Sequence, residues 1–199
     1  MSFDTRLVAA KLRRWEKFLD QYHLPDWDSI PNFGLYMEQV ITLLKEYLDY
    51  LPPELKEEQF ITAATINNYV RTKIMPGPVK KKYYRIQIAY LLMILSLKQS
   101  LSISMIHRLI PMDLSEEEVR GIYESYAARH RIACKYFTDQ VRLIAAPILN
   151  HEPETDIVTE TPVDLITTTS MIGGLACLMA EKLLLLEDLT LEDISKDLL

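Results

Sequence analysis

Asn67, Asn68 and Arg71 stand within about one helical turn of each other in "TINNYVR", and "GPVKKKYYR" follows a few residues later. Both stretches are rich in groups that hydrogen-bond base edges or neutralise phosphates. Asn pairs bidentately with adenine, Arg with guanine, and Thr reaches a phosphate or a thymine methyl group. Each neutralised phosphate releases condensed counterions, which is a reason to set Lys80, Lys81 and Lys82 side by side. Without a phosphate partner their repulsion argues against the arrangement, and a solvated surface loop is the other reading. For the helix, the other reading is an exposed polar face with no target.

The charge around these residues favours an anionic partner. The 199-residue chain has a formal net charge of −6, yet no Asp or Glu occurs from Gln59 to Met112. The bases in that interval are Arg71, Lys73, Lys80, Lys81, Lys82, Arg85, Lys98 and Arg108. An acid beside a phosphate would be repelled, while an acidic remainder keeps the rest of the protein off a duplex.

Other chemistry finds less footing. His23, His107, His130 and His151 form no pair at metal-ligand spacing. His130, between Arg129 and Arg131, reads as a surface residue. Cys134 and Cys177 lie in apolar surroundings and are expected as core thiols of a reducing cytosol. No GxSxG, phosphate loop or GxGxxG occurs. Gly173 and Gly174 fall inside an apolar helical stretch and predict close helix packing. The expectation is a protein that is no enzyme and carries no cofactor or metal.

The elements that must position the polar groups are helical, since the dominant apolar period is helical throughout. Residues 3 to 22 predict a first helix, and "HLPDWDSIPNF" a connection. From Tyr36 to Tyr50, Met37, Val40, Ile41, Leu44 and Leu48 form one apolar stripe, ended by Pro52 and Pro53. Thr62 can cap a short helix from Ala63, stopped by "MPGP", with Ile66, Val70 and Ile74 facing inward. Ile88, Leu91, Leu92, Leu95 and Leu101 predict a packed support, and Ser102 or Ser104 caps a second short helix ending near Leu109. Ser115 and Glu118 form a capping box for a long helix to about Ala146, with Glu116 to Glu118 in its first turn. Its inward positions are Val119, Ile122, Tyr126, Ala133, Phe137, Val141 and Ile144. "HEPETDIVTETP" reads as an acidic loop, and two helices follow, the last being "LEDISKDLL". Glu181 and Lys182 interrupt the apolar stretch Met171 to Leu186 below the roughly 18 residues of a spanning helix. Asp4, Arg6 and Lys11 leave no signal peptide at the start. A cytoplasmic location without membrane contact is expected.

The order of capped helix, "P-x-P" break, basic aromatic turn, apolar helix and "SLKQSLSISMIHRLI" resembles the winged helix-turn-helix of MerR-type transcription regulators. From roughly Leu24 to Ile110 the chain resembles, more closely, the bacterial family called domain of unknown function 1836. "INNYV" and "KKKY" are the most specific parts of that likeness. The MerR resemblance implies that Asn67, Asn68 and Tyr69 occupy the polar-aromatic run of a recognition helix. It likewise puts Lys81 and Tyr83 at the basic and aromatic positions of the wing. Two features depart from that pattern. "PPELKEEQ" stands where the first helix of the motif belongs, so the Tyr36–Tyr50 helix must substitute, and Tyr84 stands where a Ser or Asp cap is usual.

The expected architecture is all-α, with at most a minimal two-stranded wing. N-terminal helices (1–58) pack on a MerR-like helix-turn-helix and wing (59–112), followed by a helical regulatory or dimerising half (113–199). The expected function is a transcriptional regulator that binds double-stranded DNA. Its contacts are Thr65, Asn67, Asn68, Tyr69, Arg71 and Lys73 from the helix, with Lys80, Lys81, Lys82, Tyr83 and Arg85 from the wing. The competing expectation is a protein-interaction module of the same shape. A homodimer is expected through the C-terminal helices, which offer more apolar surface than the small N-terminal domain can cover. Burial of those helices against each other within one chain is the alternative. An apolar effector pocket among them, for a small molecule of unknown identity, also fits.

Overall fold

Every residue from Gln87 to Leu97 is buried, so this stretch is surrounded on all sides rather than amphipathic. The computed structural model describes residues 4–49, 61–99, 101–144, 167, 170–179, 186, 189 and 190. Among these it is mostly helical, without an extended sheet. The helices are α1 (Thr5–Gln21), α2 (Met37–Tyr47), α3 (Ala63–Arg71), α4 (Arg85–Leu97), α5 (Ile103–Leu109) and α6 (Glu116–Ile144). A single 3-10 turn covers Trp27–Ser29, and residues 170–179 are also helical. The stretches "PPELKEEQ", "HEPETDIVTETP" and "LEDISKDLL", and the side chains of Val141 and Ile144, lie outside the described residues.

The helix starts follow their capping chemistry. Asp4 accepts from the backbone N–H of Arg6 at 2.8 Å, and Thr62 from that of Thr65 at 3.1 Å. Ser102 caps α5, the nearer of the two serines that compete for that role. At α6 the capping box is reciprocal: the Ser115 N–H donates to Glu118 Oε2 at 2.9 Å, and the Glu118 N–H donates to Ser115 Oγ at 3.4 Å. The Ser115 hydroxyl, donating to Glu118 Oε2 at 2.6 Å, and then the Ser115 N–H hold the Glu118 carboxyl below its usual pKa.

The long helix α6 packs against both α4 and α1. Val119, Tyr123, Tyr126, Ala133, Cys134 and Phe137 of α6 share one hydrophobic cluster with α2, α3, α4, Met171, Leu175 and Leu178. Tyr123 donates to the Pro25 carbonyl at 2.8 Å, and the hydroxyls of Tyr126 and Ser96 meet at 2.8 Å. Burial raises the pKa of both tyrosines. Among the described residues, α6 and residues 171–178 thus share this core within one chain. Met112 is half-buried and packs against this cluster, which draws residues from both sides of it.

Three local expectations are corrected. His130 is not on the surface: it is 2 % exposed, with its ring edge-on to Tyr22. Desolvation lowers its pKa to about 4, so it is neutral. Its place on the inner face of α6 outweighs its two arginine neighbours in sequence. Cys134 is buried, with its thiol pushed up to about 12, but Cys177 is exposed. A Cβ built on Gly173 meets nothing within 4 Å, so this glycine does not mark a close helix approach. Among the described residues, no helix is long and apolar enough to cross a membrane.

Candidate nucleic-acid interface

Helix α3 buries Ile66 and Tyr69, and Ile74 just beyond it is buried too. A helix of nine residues with that inner face must turn Asn67 and Arg71 outward, and both are exposed. Asn68 and Thr65 are half-buried. Arg71 Nη2 donates to Asn68 Oδ1 at 2.7 Å, so these two side chains are held together as one donor-rich unit. Thr65 and Thr62 share a hydroxyl hydrogen bond of 2.9 Å. Helix α2 packs against α3 from across the stretch that separates them in sequence.

The end of α3 has an unusual residue at its turning point. The Ile74 N–H bonds the Tyr69 carbonyl at 3.1 Å, and the Lys73 N–H bonds the Val70 carbonyl at 3.1 Å. This is the Schellman pattern, which calls for left-handed backbone at the position of Lys73, usually filled by glycine. Lys73 adopts it, with φ 55°.

The "KKKY" run is a hairpin. Val79 and Lys82 exchange two backbone hydrogen bonds, of 2.9 and 3.0 Å, around a two-residue turn. Lys80 (φ 51°) and Lys81 (φ 65°) are both left-handed, as a primed hairpin turn requires. Asn-Gly would fit such a turn with little strain, whereas an ordinary L-residue there costs about 1–2 kcal/mol. Among the described non-glycine residues with positive φ, three are lysines of this acid-free segment. Lys73, Lys80 and Lys81 are all exposed.

The hairpin is fixed at its base from two directions. Tyr83 and Leu35 exchange two 2.8 Å backbone hydrogen bonds, which add the residues before α2 as a third lane. Antiparallel pairing sets Tyr36 opposite Lys82 and Gly34 opposite Tyr84. Lys82 Nζ accordingly lies 5.2 Å from the Tyr36 ring centroid. A Cβ on Gly34 would stand 2.8 Å from Lys82 Cδ and 2.9 Å from Tyr84 Cζ. From below, the buried amide of Gln87 holds both ends. Its Oε1 accepts from the Tyr84 N–H at 2.9 Å, and its Nε2 donates to the Gly77 carbonyl at 3.2 Å. The first of these bonds is the Gln87 half of a capping box, satisfying the N–H of Tyr84 at the start of α4.

Three of the sequence-predicted contact residues take structural places instead. Tyr69 and Tyr83 are 3 % and 2 % exposed, and burial pushes the Tyr69 hydroxyl up to about 12. Arg85 donates from Nε to the Ile30 carbonyl at 2.8 Å, pairs with Asp28 at 3.4 Å and lies over the Trp27 ring. It ties the start of α4 to the 3-10 turn rather than pointing outward. Lys82 is half-buried along Tyr36. The exposed residues of the predicted set are thus Asn67, Arg71, Lys73, Lys80 and Lys81. Sequence reasoning missed Gly34, Tyr36 and Gln87, because their roles arise from pairing between distant segments.

Among the described residues, no group of His, Cys, Asp and Glu is placed to hold a metal ion. Residues 25–126, a little over half of the chain, match the family described as Domain of unknown function (DUF1836). The match spans α2 to α5 and the hairpin, and runs on into α6. No curated protein and no solved structure matches.

Proposed function

The chain belongs to the DUF1836 family, and we propose that it is a DNA-binding transcriptional regulator of MerR-like winged helix-turn-helix type. In this reading α2 and α3 form the helix pair, α3 enters the major groove, and the Val79–Lys82 hairpin is the wing on the phosphates. Asn67 and the Asn68–Arg71 pair read base edges, while Lys73, Lys80 and Lys81 neutralise phosphates. The observation that carries the reading is the conformation of those three lysines. Each occupies a left-handed position where glycine or asparagine would fold with less strain. Retaining lysine there costs stability and brings only positive charge, which an anionic partner would use.

Pairing of two copies through the C-terminal half belongs to the same proposal. One recognition helix and wing cover few base pairs, and two-fold readers solve this with half-sites about one helical turn apart. The competing reading, a protein-interaction module of the same shape, draws on the exposed apolar side chains Phe33, Tyr36 and Val79. Selection from a randomised duplex pool at physiological salt separates the two. The regulator reading predicts an enriched site, with Asn67→Ala relaxing preference at one position by about 1–3 kcal/mol. No enrichment above bulk DNA would favour the interaction module.

A further inference from the structure

Helix α1 is docked on α6 and leaves its other side to solvent. Leu7, Leu12 and Leu19 are buried, and the Trp15 ring stands edge-on to Phe137 of α6 at 5.4 Å. At 3.6 residues per turn, Arg6, Arg13 and Lys17 fall within about 40° of one another, on a line about 16 Å long. All three are exposed, as is Arg14 beside them. Among the described residues, no acid pairs with the side chain of any of these four bases. Local electrostatics oppose the arrangement. Arg6 sits in the first turn, where the helix dipole disfavours a cation, and Arg13 and Lys17 are like charges at i,i+4. Burial, and after it the charge of Arg14, lower the pKa of Lys11 on the same helix. An anion from outside the chain would reverse this balance.

We propose, resting on the DNA-binding reading above, that the outer face of α1 is a second nucleic-acid contact, laid along phosphates of the duplex that flanks the segment held by α3 and the hairpin. A row of bases matches a row of phosphates, whereas one small anion could not reach both ends of a line this long. A lipid surface fits less well, because the leucines of α1 are buried in the core and leave no apolar face to enter it. The two basic surfaces belong to different parts of the fold. Helix α1 packs on α6, while α3 packs on α2 and the hairpin pairs with the residues before α2. Helix α1 also lies ahead of the family-matched residues 25–126, so this contact is no part of the winged motif. Its bases would position the duplex without reading sequence.

The test compares the salt dependence of the full chain on mixed-sequence duplexes of about one and about three helical turns. On the short duplex the slope belongs to α3 and the hairpin. On the long one the wild-type slope should be steeper by about 2.7 units, if Arg13, Arg14 and Lys17 each neutralise one flanking phosphate. R13A/R14A/K17A should give one slope at both lengths, and R13K/R14K, which keeps every charge, should behave as wild type. Alanine is the best helix former and all three sites are exposed, so an unaltered circular-dichroism melt is expected. Equal wild-type slopes at both lengths, or a steepening that survives in R13A/R14A/K17A, would overturn the flanking contact and leave the DNA-binding reading standing. Absence of duplex binding by wild-type protein would overturn both.

Discussion

At the scale of single residues, the conflict between strain and charge at Lys80 and Lys81 is the most informative feature of the surface. Replacing them with the pair that a primed turn prefers, K80N/K81G, should relieve left-handed strain and raise unfolding stability by about 1–2 kcal/mol in urea titration. The same variant should bind duplex DNA more weakly. A more stable protein with unchanged affinity would separate the lysines from function. This conflict was only half visible in the sequence. The clustering of "KKK" after two prolines marks a turn and a charge, but φ at Lys80 and Lys81 follows from the hydrogen-bonded register of Val79 with Lys82. His130 shows the same limit from the other side. Its charged neighbours predict the surface, and its position on the inner face of α6 decides otherwise.

At the scale of elements, the hairpin is held by a side chain that no motif flags. Gln87 bonds residues on both sides of it, at Gly77 and Tyr84, from within the buried helix α4. Gln87→Leu keeps the volume but removes the side-chain partner of the half-buried Tyr84 N–H and of the exposed Gly77 carbonyl, which should cost about 1 kcal/mol. Hydrogen exchange should show faster opening at Tyr84, which loses its only side-chain acceptor, than at the Leu35–Tyr83 pair. Equal protection in variant and wild type would mean that the third lane alone fixes the hairpin. Helix positions and caps were legible in the sequence, because apolar period and capping chemistry are local: Thr62, Ser102 and Ser115 start the helices they were expected to start. Inward-facing Tyr69 and Tyr83 were not, since aromatic residues serve a core and a groove equally well. Arg85 misleads for a related reason: its partners at Ile30 and Asp28 come from a segment far away in sequence.

At the scale of the whole molecule, one hydrophobic cluster contains residues from both sides of residue 112. Tyr123 and Tyr126 pack in one cluster with α4, and Tyr123 anchors the Pro25 carbonyl. A chain truncated after Met112 should therefore lose cooperative thermal unfolding, because it strips α6 from α4 and exposes large buried rings. A cooperative melt for that fragment would restore the boundary. The family match to residue 126 agrees with this packing, since it continues through Tyr123.

The central claim is that exposed bases at α3 and the hairpin meet phosphates, and salt dependence of duplex binding tests it most directly. If Lys73, Lys80 and Lys81 each neutralise one phosphate, log K should fall with log salt at a slope of about −2.7 per protomer. K80A/K81A should flatten that slope by about 1.8 units. A wild-type slope near zero, or a slope untouched by K80A/K81A, would contradict the account.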